Sequence, residues 1–246
     1  MINVTRGQRP TSLDRTEIRG YLEQLADYNL LDEETRKKAA KPDAGAYRNS
    51  DVLEAFDRDF YSKCYLTEQK YANSWAMDIE HFKSKAFGQF PELKYDWDNL
   101  YPCSHDANLL KPKKDPADGY LDPCDPNDDV EREIVYTLGL GGVAFFDPLD
   151  NSNIKAKNTA YLLDKVHNGG DFDSKQKTAE VRLLIAKKAE DVKEAIMAWL
   201  DAKGNLQEEI RTSRKIKNLL SRKSDFTMLL RSLDCVRKYV PADFLD

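Results

Sequence analysis

The sequence predicts an α-rich α+β fold, and three observations carry that prediction. The stretch VRLLIAKKAEDVKEAIMAWL sets Val181, Leu184, Ile185, Val192, Ile196, Trp199 and Leu200 on one stripe at helical spacing. Far upstream, Trp75, Met77 and Ile79 alternate with Ala76, Asp78 and Glu80, which is strand periodicity. Between these regions lie DPADGYLDPCDPNDD and GLGGVAFFDPLDN, whose Asp, Pro and Gly clusters mark loops.

Taken in chain order, residues 1–60 read as an arm followed by helices. TEIRGYLEQLADY offers Ile18, Tyr21, Leu22 and Leu25 at helical spacing, and KPDAGAYRNSD then breaks the pattern. A second helix follows, with Ser50 or Asp51 as its N-cap and Val52, Phe56 and Phe60 on one face. Residues 61–114 are irregular and aromatic, and they predict a compact core of strand, Lys- and Phe-rich loop, second strand or extended turn (Tyr95, Trp97, Leu100) and short helix. Ser104 is the expected N-cap of that helix, which runs from His105 to about Lys111 and stops at Pro112. Residues 115–246 comprise the loop region, a strand-like REIVYTL, and helices from about residue 155 onward, the last one starting at Ser224 or Asp225. All three parts are expected to form one continuous globular unit.

Composition limits the possible functions. The chain is 41% hydrophobic and 33% charged, a balance that belongs to folded proteins and not to disordered ones. No apolar run approaches the ~20 residues that span a bilayer. The opening MINVTRGQRPTSL lacks the apolar block of a secretory signal, so a cytoplasmic location with no membrane association is the expectation. The four cysteines form no CxxC pair and read as free thiols. A net charge of −5 does not advertise nucleic-acid binding by the whole chain, which leaves that task to a local basic patch or to a partner subunit.

The polar residues of 61–114 carry chemistry. Only three histidines occur in the chain, and one of them, His81, directly follows Glu80 at the end of the first predicted strand. Asn99 closes the second strand and Asn108 sits on the helix. A neutral imidazole can take a proton from water, while a carboxylate and a facing amide oxygen are hard ligands suited to one Mg²⁺ or Mn²⁺. Such a set suits metal-assisted cleavage of a phosphodiester. Asp78 and His105 are possible accessory residues, and Lys83, Lys85 and Lys111 are candidates for phosphate contact. His167, in KVHNGG, reads as a helix end whose ring faces the terminal carbonyls, with Gly169 taking the left-handed cap. The basic RTSRKIKNLLSRK and the acidic DPCDPNDD read as solvated segments.

DIEHF followed by YDWDNLYPCSHDANLLKPKK resembles the HNH, or ββα-metal (His-Me finger), endonuclease motif, and is most similar to the HNH proteins of Septu and retron-associated antiphage defence systems. The opening MINVTRGQRPTSL and the later NTAYLLDKVHNG also resemble that group. The nine-residue step from Asn99 to Asn108 is similar to that of the HNH domain of RNA-guided CRISPR nucleases. The resemblance implies a small ββα-metal core embedded in N- and C-terminal helices. It also implies His81 as general base, Asn99 as the residue that holds the loop and orients the base, and Glu80 with Asn108 as ligands of one divalent ion. The implied substrate is DNA, with RNA not excluded. The implied partner is an ABC- or SMC-like ATPase subunit, since no GxxxxGK[ST] occurs in this chain.

The departures from that pattern concern its two CxxC knuckles. Cys64 is retained, but Thr67, Ser104 and Ala107 stand where the other cysteines belong, so loss of the structural zinc is expected. A displaced site drawing on Cys64, Cys103, His105 and Cys124 is the alternative for zinc. The alternatives for function are a non-catalytic HNH-fold adaptor that docks on the ATPase, or a stand-alone toxin-like nuclease.

Overall fold

A computed structural model describes residues 1–86 and 89–246, so part of the Lys- and Phe-rich loop, positions 87 and 88, lies outside the described residues. The described residues are mostly α, with two small antiparallel hairpins among them. Three short helices lead in, α1 (Thr16–Arg19), α2 (Tyr21–Leu30) and α3 (Glu33–Lys38), followed by α4 (Ser50–Asp59). Val52, Phe56 and Phe60 are buried as the spacing predicts, but Asn49 is the cap position and Leu22 faces solvent. On the α1–α2 segment Ile18, Tyr21 and Leu25 form the buried stripe.

The first hairpin joins β1 (Asp78–His81) to β2 (Leu100–Cys103), and α5 (His105–Leu110) packs back on β1. The register sets Asp78 opposite Cys103, Glu80 opposite Tyr101 and His81 opposite Leu100. Two expectations are corrected here. Trp75 belongs to a 3₁₀ turn, Ser74–Ala76, and is exposed, because the Asn73 side chain accepts from Trp75 N–H and curls the chain before it can extend. Asn99 precedes β2 and does not close it, sitting at the end of the turn Trp97–Asn99.

The second hairpin pairs β3 (Ile134–Leu138) with β4 (Ala144–Pro148). β4 falls inside a segment the sequence reads as loop. Flanking glycines and a terminal proline mask its alternation, in which Ala144 and Phe146 are buried and Phe145 is exposed. Gly142 is required in the connecting turn: its φ is +76°, and a Cβ there would meet the Arg182 carbonyl oxygen at 1.9 Å. That residue lies on the longest helix, so the hairpin turn packs directly against helical backbone.

Helices α6 (Ile154–Asn168), α7 (Phe172–Lys177), α8 (Ala179–Asp201), α9 (Leu206–Leu220), α10 (Thr227–Arg231) and α11 (Asp234–Tyr239) complete the fold. Val181, Ile185, Val192, Ile196 and Trp199 of α8 are buried, while Leu184 and Leu200 lie half-buried at the stripe's edge. Neither Ser224 nor Asp225 caps a helix: Asp225 instead accepts from Lys70 N–H at 2.8 Å, and α10 starts after Phe226 in a left-handed conformation. His167 is buried at the end of α6 with Nδ1 2.8 Å from the Leu163 carbonyl, and Gly169 follows at φ +69° but ψ 154°, which is not the expected left-handed helical cap. Among the described residues no helix is long and apolar enough to cross a membrane.

The arm at residues 1–10 lies across the first hairpin. The Arg6 guanidinium covers the rings of Tyr101 and Trp97, 4.3 and 4.7 Å from their centroids, and donates to the Leu100 carbonyl at 2.8 Å. The arm therefore braces the hairpin through Arg6.

Candidate active site

The short ladder and α5 bring Glu80, His81 and Asn108 to the wall of one cavity of about 270 Å³. His81 ends β1, and its side chain lines the cavity. Its Nε2 lies 3.0 Å from the Lys94 carbonyl oxygen. A carbonyl only accepts, so the ring proton sits on Nε2 and the lone pair on Nδ1. Among the described residues no hydrogen bond reaches Nδ1. Tyr47 meets the ring edge-on at 5.1 Å between centroids. Burial, reinforced by the nearby Lys85 charge, brings the His81 pKa down to about 4, so the imidazole is neutral near pH 7.

Asn99 joins the segments on either side of the inter-strand loop. Its Oδ1 accepts from Lys83 N–H at 2.6 Å, and its Nδ2 donates to the carbonyls of Lys83 (3.0 Å) and Leu93 (3.2 Å). The Phe82 amide donates to the Asn99 carbonyl. One side chain thereby ties the segment that follows His81 to the residue that precedes Lys94.

Glu80 departs from the expectation of an open ligand. Its Oε1 lies 2.7 Å from Lys111 Nζ, and its Oε2 accepts from the Tyr65 hydroxyl at 3.0 Å. Burial pushes the Glu80 carboxyl up in spite of that ammonium. Lys111 is correspondingly not a phosphate contact. Its ammonium is buried and also donates to the carbonyls of His81 (2.9 Å) and Phe82 (2.7 Å), which leaves it no free donor for a ligand. Asp115 Oδ1 lies 3.9 Å from the Lys111 ammonium, a buried oxygen with no hydrogen-bond partner among the described residues.

Asn108 donates from Nδ2 to Asp78 Oδ2 at 3.0 Å, and its Oδ1 takes part in no hydrogen bond among the described residues. Asp78 also accepts from the exposed His105, Nδ1 to Oδ2 at 2.9 Å. Asp78 is thus an anchor for the helix that carries Asn108. Burial pushes its carboxyl up, but the Asn108 and His105 donors outweigh this and hold it below the usual range. His105 itself lines a separate cavity beside Thr67 and Tyr71, away from His81.

The predicted phosphate lysines part company. Lys85 lines the cavity with His81 and donates to the Tyr47 hydroxyl at 3.0 Å. Lys83 lines a different cavity, shared with Asp115, Asp118, Asp122, Asp125 and Asp128. Sequence reasoning missed Tyr47, Ser84 and Lys113 on the wall of the site, and Tyr65 beneath Glu80. Lys113 had a local signal in KPKK; Tyr47 and Tyr65 arrive through tertiary contacts that no spacing encodes.

The displaced zinc set does not assemble. Cys64 and Cys103 are neighbours, 4.0 Å between sulfurs, but His105 is tied to Asp78 and Cys124 sits with Arg6 and Asp122 at another cavity. Among the described residues no three His, Cys, Asp or Glu side chains cluster as metal ligands. The chain matches no known family, no curated protein and no solved structure with which it was compared.

Proposed function

We propose that the chain is a metal-dependent endonuclease of the HNH type, cutting DNA phosphodiester bonds. The observation that carries this reading is His81: a neutral imidazole, its proton held on Nε2 by the Lys94 carbonyl, in a cavity shared with Glu80 and Asn108. Strand, strand and helix follow in the order the motif resemblance implies, with Asn99 tying the loop.

The donor set fits one hard divalent ion in part. The amide oxygen of Asn108 is open, whereas the Glu80 carboxylate already holds an ammonium and would have to exchange Lys111 for the ion. Such an ion, when bound, would neutralise charge on the scissile phosphate and on the departing sugar oxygen. The chain's own residues do the rest. His81 Nδ1 accepts a proton from the attacking water, and the Lys94 carbonyl stabilises the imidazolium through Nε2–H. Asn99 keeps ring and carbonyl in register. Lys85 and Lys113, at the cavity wall, meet the phosphate backbone.

The net charge of −5 supports a partner that supplies further contact with DNA, and the resemblance makes that partner an ATPase subunit of an antiphage defence complex. One observation favours a second reading, a non-catalytic adaptor: the Lys111–Glu80 pair leaves Glu80 without an open oxygen. A plasmid-nicking assay with Mg²⁺ or Mn²⁺, run with and without a candidate ATPase subunit, separates the two. Cleavage by the wild type that disappears in His81→Ala supports the nuclease; equal inactivity of both chains under every condition leaves the adaptor.

A further inference from the structure

We propose that Cys64 and Cys103 are a redox couple that closes to a disulfide under hydroperoxide, stapling the turn before β1 to β2. The inference is independent of the nuclease reading.

The two sulfurs come from residues far apart in the chain, and the fold brings them together. Residues 63–70 form a tight turn, in which Cys64 N–H donates to the Gln69 carbonyl and Glu68 N–H to the Cys64 carbonyl, both at 2.9 Å. Tyr65 N–H donates to the Pro102 carbonyl at 2.9 Å, so the backbones at Cys64 and Cys103 are already side by side. Both thiols are fully buried, 4.0 Å apart, and would close by about 2 Å to reach a disulfide bond length. Because β2 is short and ends at Cys103, that movement falls on a strand terminus and not on the middle of a ladder.

The surroundings prepare one sulfur as nucleophile. Thr67 N–H points at Cys64 Sγ from 3.5 Å, and the Cys64 and Cys103 thiols share a hydrogen bond at 4.0 Å. Burial alone would push the Cys64 thiol up, but these donors, with the Ser104 amide and the Thr67 hydroxyl, outweigh it and bring the pKa down to about 5. Cys103 is pushed the other way by burial, which keeps its proton in place for the second step. A void of about 10 Å³ lies against Cys64, lined by Val4, Phe60 and Tyr65, close to the room one water-sized molecule needs.

The chemistry balances. The Cys64 thiolate attacks one oxygen of hydrogen peroxide; an S–O bond forms, the O–O bond breaks, and the departing hydroxide is protonated to water. The Cys103 sulfur then attacks Cys64; the S–S bond forms, the S–O bond breaks, and hydroxide leaves with the Cys103 proton as a second water. Two thiols and one peroxide become one disulfide and two waters.

The test uses the full chain carrying Cys124→Ser and Cys235→Ser, treated with hydrogen peroxide after removal of reductant. The expected result is loss of two hydrogens from the intact mass and a peptide pair linking Cys64 to Cys103, both reversed by a thiol reductant. Adding Cys103→Ser should stop the reaction at a Cys64 sulfenic acid that dimedone traps. Recovery of both cysteines as free thiols on denaturation, or over-oxidation of Cys64 without a cross-link, overturns the proposal. So does stoichiometric zinc in the purified chain that protects both thiols from peroxide, since the pair would then be ligands.

Discussion

The Lys111 ammonium lies 2.7 Å from Glu80 Oε1 and is fixed there by two backbone carbonyls, those of His81 and Phe82. A helix end is thereby clamped to the strand that carries the candidate base. Removing one member of a buried pair strands the other charge, which costs on the order of 3–5 kcal/mol. Lys111→Ala should lose about that much stability in urea unfolding. Combining Glu80→Gln with Lys111→Met should recover most of it, because neither partner then keeps a charge. A Lys111→Ala chain as stable as wild type would show that the pair is solvated in solution.

Asn99 predicts a separation of fold from activity. Its side chain makes three hydrogen bonds across the inter-strand loop, and Asn99→Ala leaves the Lys83 amide without its acceptor. A loss of about 1–3 kcal/mol is expected from the unsatisfied groups, well short of unfolding a domain of this size. Amide exchange at Lys83 should accelerate while exchange in α8 stays protected. Unchanged exchange at Lys83 would remove Asn99 from its place as the tie between the two segments.

His167 sets a pH dependence. Burial lowers its pKa from 6.5 to about 4, so the folded state refuses a proton that the unfolded chain accepts. The contribution is therefore complete above pH ~6.5 and is lost as the pH falls through the folded value, by as much as about 3 kcal/mol. Urea midpoints of wild type and His167→Gln, compared at pH 7 and pH 4.5, check the sign. The wild type should fall more between the two than the variant does; parallel curves would assign the acid loss to carboxylates.

How far the sequence speaks depends on the range of the interactions. Glu80 and His81 on a strand, Asn108 on the helix after Ser104, and the buried stripe of α8 are local patterns of period and spacing, and all are present in the fold. Trp75 failed because one Asn73 side chain won over a strand-like alternation. β4 was missed because glycines and a proline crowd a strand of five residues. The inward turn of Lys111 was illegible for a different reason: a lysine in KPKK has every local mark of a solvated residue, and only the buried Glu80 carboxylate makes its burial favourable. The same holds for Tyr47, whose ring reaches His81 from a loop that the sequence marks only as a break.

The remaining lysines distinguish contact with DNA from structure. Lys85 and Lys113 line the His81 cavity, and Lys113 is exposed, whereas Lys83 faces a cavity of carboxylates. Phosphate neutralisation by one side chain contributes roughly one unit to the slope of log affinity against log salt. If nucleic acid enters this cavity, Lys85→Ala and Lys113→Ala should each weaken DNA binding about equally on any sequence and lower that slope by about 1. Lys85→Ala should show a further loss in turnover, because its ammonium also holds the hydroxyl of Tyr47, whose ring packs edge-on against the imidazole. Lys83→Ala should leave both affinity and slope unchanged, since its hydrogen bonds to Asn99 run through backbone N–H and C=O groups that alanine keeps. Salt titrations of a fluorescent duplex with the four chains decide the matter: a Lys83 effect as large as that of Lys113 would place the DNA path over the acidic cavity and away from His81.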